Sequence, residues 1–131
     1  MITREDIEAM AETLHSKNLS VPQMVEEFAK VTGQPKNPEM SAALIQEEFY
    51  EWRSEFMKNT KAPQLKELFD LVYVIYGYAR SRGWDLQEAI ARGHVNNMDR
   101  IIQDDGTIKR REDGKIMKNP NAPKIYLEDL V

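Results

Sequence analysis

Residues 46–52 read QEEFYEW, and residues 66–79 read KELFDLVYVIYGYA. The architecture turns on these two stretches. If both are helical, Glu48 and Glu51 lie three residues apart on one face, with Glu47 beside Glu51 at a spacing of four. Glu55 continues that stripe. Glu67 and Asp70 repeat the spacing of three on the second helix. Packed face to face, the two helices converge four or five carboxylates on one point. Repulsion makes that costly unless a divalent cation sits between them, and oxygen-only ligands suit a hard ion such as Mg2+ or Mn2+. An acid-rich helix face is ordinarily just solvated, but Asp70 tells against that here. Leu68, Leu71, Val72, Val74, Ile75, Tyr76 and Ala79 surround it and leave no polar stripe. A helix apolar on all sides predicts a core helix. A buried carboxylate has to be paired, hydrogen-bonded, neutralised or metal-bound, and residues 68–79 hold no Lys or Arg.

At 131 residues the chain has the length of one domain with a real core. Its 41% apolar and 31% charged residues suit a helical, soluble protein, and a net charge of −4 argues against a nucleic acid polymer as partner. It has no cysteine, which excludes disulfides, thiolate catalysis and cysteine-bound zinc and permits a reducing cytoplasm. No apolar run approaches the roughly 20 residues of a membrane span. MITREDIEAM is too charged for a signal peptide, so a cytoplasmic location is expected.

Five helices are legible. Thr3 opens the first, with Asp6 as a weak capping box and Ile7, Met10 and Leu14 on its apolar face. His15 reads as a surface residue near its end. Ser20 caps the second, with Gln23 at the matching position, Pro22 in the first turn and Gly33 as the stop. Asn37 caps the third, Pro38 starts it, and it runs to about Lys58. Ile45, Phe49, Trp52 and Phe56 form one of its faces and the glutamates another. Pro63 starts the fourth, which ends near Gly83. Asp85 and Glu88 make a capping box for the fifth, weakened by Gly93.

From Asp104 onward there is no helical period. IKRREDGKIMK reads as a small hairpin or extended arm turning at Asp113-Gly114. Residues 100–118 hold six basic and four acidic side chains, so the remainder of the chain is −6. Such a stretch is either a solvated tail or a cationic cover for an acidic, metal-loaded site. Phosphate substrates need the second arrangement, because Lys and Arg neutralise the oxygens that a metal does not reach.

Taken together, these residues resemble a known family. The pattern E-E-x-x-E, fifteen residues, E-x-x-D is similar to the signature of the all-α nucleoside triphosphate pyrophosphohydrolases, which include MazG, the dimeric dUTPases and phosphoribosyl-ATP pyrophosphohydrolase. ELFDLVYVIYGYARSRGWDLQEAI resembles the family's E-L-A-D-L-L-Y-V-x-Y-G stretch with its later G-I-D. HVNNMDRI resembles H-x-x-N-M-S-K at His94, Asn97 and Met98, and EDGKIMKNPN resembles D-G-K-x-x-K-x-P at Asp113, Gly114, Lys115, Lys118 and Pro120. The likeness spans about residues 40 to 122 in the family's order. Three departures stand out: Asp99-Arg100 replaces Ser-Lys, Phe69 replaces a small residue, and the tail lacks an aromatic soon after Lys-x-Pro.

The resemblance implies an all-α, four- to five-helix bundle of the MazG-like type, with a short C-terminal hairpin or arm. Residues 1–103 would be the catalytic bundle and 104–131 an arm covering the substrate, within one domain. The implied reaction is Mg2+-dependent cleavage of a (d)NTP to (d)NMP and pyrophosphate, by attack of a metal-activated water at the α-phosphorus. Glu48, Glu51, Glu67 and Asp70 would hold Mg2+, with Mn2+ as substitute. Glu47 would serve a further ion or orient the water. Asn97, Arg100, Lys115 and Lys118 would bind the substrate. His94 reads as structural rather than as a substrate contact. Family members of this size pair into dimers or dimers of dimers, so a homo-oligomer is expected, and Tyr50, Trp52, Tyr73 and Tyr76 suit either an interface or a core. Phosphoribosyl-ATP pyrophosphohydrolase proper is the alternative within enzymes, with the long tail against it. A non-catalytic helical scaffold is disfavoured by the intact five acids, and a Ca2+-binding protein by the lack of a D-x-D-x-D-G loop.

Overall fold

The computed structural model describes residues 2–17 and 19–131, and side chains outside 14–17. The expectations for Leu14 and His15 concern side chains beyond that description. Five α-helices follow in order: α1 (Arg4–Lys17), α2 (Val21–Thr32), α3 (Pro38–Met57), α4 (Ala62–Arg82) and α5 (Leu86–Ile101), with a 3-10 turn at Glu128–Leu130. No strand occurs among the described residues, and the all-α expectation is met.

Local chemistry sets the boundaries. Thr3 and Asp6 bond each other's backbone N–H reciprocally, at 2.8 and 3.1 Å. Ser20 and Gln23 do the same at the start of α2, and Asn37 accepts from the Met40 amide at the start of α3. Left-handed glycines close two helices, Gly33 (φ 67) after α2 and Gly83 (φ 74) after α4. Asp85 caps α5 through the Glu88 amide, but the box is only half made, because the Glu88 carboxylate takes Arg92 instead. The turn at Asp113-Gly114 forms as expected, with Gly114 at φ 86 and an antiparallel bridge between Arg110 and Ile116.

The chain divides into two compact units, Met1–Trp84 and Asp85–Val131. In the first, α3 and α4 are joined by the short connection 58–61 and pack along each other, and α2 packs on α4. Val25 and Ala29 of α2 and Ala79 of α4 are buried. Around them the Tyr73 hydroxyl donates to the Met24 carbonyl, its ring meets Phe28 edge-on, and Arg80 pairs with Glu26 at 2.6 Å. Tyr73 therefore belongs to internal packing.

One expectation fails. The apolar run of α4, residues 68–79, is not enclosed. Leu65 (65% exposed), Leu68, Val72 and Ile75 form an open stripe at spacings of three, four and three, with Phe69 (57% exposed) beside it. The reason is geometric, since α2 and α3 cover only part of a helix circumference. The aromatic face of α3 is likewise turned outward at Phe49 and Phe56, the second stacked on Trp52 and the first tilted against it, while Glu48 and Glu55 are half-buried.

In the second unit, residues 119–131 run as a strap along α5. The Arg92 guanidinium forks onto Asp129 at 2.6 and 2.8 Å and also donates to the Tyr126 carbonyl. Asn96 Nδ2 donates to the Pro123 carbonyl at 2.7 Å. No helix among the described residues is long and apolar enough to cross a membrane.

Candidate metal centre

Helices α3 and α4 bring acids from sequence positions nineteen and more apart to one place. The carboxylate oxygens of Glu48, Glu67 and Asp70 lie within 4.8 Å of one another, and all three side chains are half-buried. Among the described residues no other group of three acids or histidines is so placed. The spacing follows from helix geometry: Glu67 and Asp70, three apart, share the face of α4 that meets Glu48 of α3.

The site is under electrostatic stress. Glu48 Oε2 and Glu67 Oε2 are buried and accept no hydrogen bond. Leaving one buried polar atom unpartnered costs about 1–3 kcal/mol, and more for a charge. Burial pushes the Glu48 carboxyl up to about 7, helped by a side-chain hydrogen bond with Glu51 and by the charges of Glu51, Asp70 and Glu67. Glu51 thus belongs to the cluster's electrostatics. Glu47 is exposed and lies outside the three-acid group. Glu55 is engaged elsewhere, accepting from the Thr60 hydroxyl at 2.8 Å and pairing with Lys58 at 3.5 Å.

One cation does reach the cluster. Lys66 Nζ lies 2.6 Å from Asp70 and 3.5 Å from Glu67. It sits four residues before Asp70, one helical turn, just outside the apolar run. Inspection of that run alone missed it; the i−4 position was the signal available. Hydrogen bonding to Asp70 above all holds the Lys66 ammonium more firmly protonated than usual. One ammonium does not balance four converging carboxyls, and Glu48 Oε2 and Glu67 Oε2 stay without partners. The donor set, all carboxylate oxygen and half-sheltered, fits a hard divalent cation.

The basic residues named from the sequence lie in the second unit. Arg100 and Lys118 line one groove there. Lys115 is exposed beside the hairpin turn, and Asn97 and His94 are exposed on α5.

With this geometry in view, the comparison with known families is decisive. Residues 7–97, more than half of the chain, match the family phosphoribosyl-ATP pyrophosphohydrolase. The chain belongs to that family. It is thereby a member of the MazG-like all-α NTP pyrophosphohydrolase superfamily and a hydrolase acting on phosphoric anhydrides. The phosphoribosyl-ATP pyrophosphohydrolase match includes all five acids and Asn97, whereas Arg100, Lys115 and Lys118 lie beyond it. The family is generally metal-dependent, consistent with the acidic cluster. No individual curated protein matches the chain.

Proposed function

We propose that the chain hydrolyses a nucleoside triphosphate between its α and β phosphates, releasing a nucleoside monophosphate and pyrophosphate. The observation that carries this reading is the cluster of Glu48, Glu67 and Asp70, whose carboxylates each bring an oxygen within 4.8 Å of the others and in which Glu48 Oε2 and Glu67 Oε2 are buried without a partner. Glu48, Glu51, Glu67 and Asp70 would hold Mg2+, with Mn2+ as substitute, and Glu47 would serve a further ion or orient the attacking water. A divalent ion in such a site supplies Lewis acidity and a bound water of lowered pKa.

The protein's own groups do the rest. Glu48 loses its proton on loading, because a carboxyl titrating near 7 must ionise to become a ligand. Lys66, paired with Asp70 and Glu67, competes for oxygens that a divalent cation would use. Arg100, Lys115 and Lys118 neutralise phosphate charge, and Asn97 hydrogen-bonds the substrate. The open stripe of α4 supports a homo-oligomer, since solvent-exposed Leu65, Leu68, Val72 and Ile75 in coiled-coil spacing are stabilised by a second copy.

The family description favours a second reading, phosphoribosyl-ATP as substrate. Both are tested by pyrophosphate release from a panel of canonical and modified NTPs, dNTPs and phosphoribosyl-ATP, with Mg2+, Mn2+ or EDTA. Metal-dependent release from a nucleoside triphosphate supports the first reading, and release from phosphoribosyl-ATP alone the second. No release from any member refutes both.

A further inference from the structure

The second unit carries a groove that the acidic cluster does not explain. Its volume is about 490 Å3, within the range of small-molecule sites, and Arg100, Lys118 and Lys124 line it. No acidic side chain does. Among the described residues none of the three cations forms an ion pair, unlike Arg80, Arg92 and Arg111. Arg100 makes only a long 3.5 Å contact to the Asn96 amide oxygen. Three like charges around one cavity repel one another, and an anion between them reverses the sign of that term.

The walls are built rather than incidental. Lys118 immediately precedes the strap and Lys124 lies along it, and the strap is fastened on both sides of the groove. The Asn119 amide donates to the Arg100 carbonyl at 2.6 Å, and Asn119 Nδ2 donates to the Ile102 carbonyl at 3.0 Å. At the other end Asn96 holds the Pro123 carbonyl, and the Arg92–Asp129 fork holds the chain beyond it. The same bonds remove an objection. The C-terminal end of a helix carries roughly half a negative charge on its free carbonyls and repels anions. Here the Asn119 amide covers one of those carbonyls, that of Arg100, and its side chain takes the carbonyl of the C-cap residue Ile102. The nearby acids are also accounted for: Asp104 spends both oxygens on Asn119 and Asn121, and Asp99 lines the adjoining groove.

We propose that this groove binds a di- or triphosphate chain without a metal, through Arg100, Lys118 and Lys124. Lys124 is the new member, marked neither by the family likeness nor by the acids. The claim deepens the hydrolase reading and rests on it only for where the polyphosphate comes from, a substrate or a released product.

The test is equilibrium dialysis of the full chain against tripolyphosphate and against pyrophosphate, in EDTA at low salt. Saturable binding is expected, weakened about tenfold or more by Arg100→Ala, Lys118→Ala or Lys124→Ala, since each removes a charge-assisted contact. Lys124→Arg keeps the charge and retains binding, and Lys109→Ala, an exposed control of equal charge change, shifts it less than about twofold, the effect of one screened surface charge. Tighter binding of tripolyphosphate points to the substrate chain, and tighter binding of pyrophosphate to the product. Asp70→Asn leaves metal-free binding in place. If no nucleotide is hydrolysed but Lys124-dependent binding persists, the groove stands and the activity reading falls. If the wild type does not bind, or Lys124→Ala and Lys109→Ala behave alike, the groove falls whatever the hydrolysis assay gives.

Discussion

Replacing Glu48 with Gln should make the metal-free protein more stable at pH 8 and flatten its pH dependence. The Glu48 carboxyl is pushed from 4.5 to about 7 by burial and by its acidic neighbours. At 1.36 kcal/mol per pKa unit, the difference corresponds to a ceiling of about 3.4 kcal/mol. The cluster is half open to water, which leaves the ionised form part of its hydration, and about 1–2 kcal/mol is a sounder figure. The sign follows from proton counts. Between pH 4.5 and about 7 the folded chain binds a proton that the unfolded chain has released, so stability falls as pH rises through that window. The Glu48→Gln substitution removes the charge and keeps the shape. Thermal melts by circular dichroism in EDTA, from pH 4.5 to 8.5, should show the variant melting about 3–6 °C above wild type at pH 8, with the gap closing towards pH 4.5. Asp104, Asp113 and Asp129 have depressed pKa values and titrate below this window in both proteins. Saturating Mg2+ should stabilise the wild type and not the variant. A variant no more stable than wild type at pH 8 would show that the cluster carries no such stress.

Other outcomes follow from the same geometry. Asp70→Asn should abolish metal-dependent turnover and leave the helical circular dichroism spectrum intact; retained activity sinks the ligand assignment. Lys66→Met should tighten Mn2+ binding about two- to fivefold, as expected for removing one exposed ion pair, measured by Mn2+ titration with electron paramagnetic resonance; weaker binding would make Lys66 a supporter of the site rather than a competitor. Calorimetric Mg2+ titration at pH 6 should show heats that vary with buffer ionisation, as Glu48 gives up its proton, and Glu48→Gln should remove that dependence. Leu65→Glu with Phe69→Glu should lower the mass seen by light scattering to that of a single chain; both positions are more than half exposed in one chain, so an unchanged mass would refute an α4 seam.

The amino-acid sequence was enough for whatever neighbouring residues decide. Caps such as Ser20 with Gln23, the left-handed glycines at 33 and 83, and the turn at Asp113-Gly114 act within a few residues, so helix order and ends were legible. The spacing of the acids is a helical property too, and it placed Glu48 and Glu51 on one face and Glu67 and Asp70 on another. Packing settled the rest. Which acids share a point depends on how α3 lies on α4, and that contact admits Glu48 but leaves Glu47 in solvent. The exposure of α4 depended on how much of its circumference its neighbours cover, which no hydrophobic pattern states. Lys124 joins Arg100 and Lys118 only because the strap folds back along α5, tied by Asn96, Asn119 and Arg92. Local sequence sets the pitch of each helix, whereas the meeting of side chains far apart in the chain is fixed by packing that every residue along both elements shares.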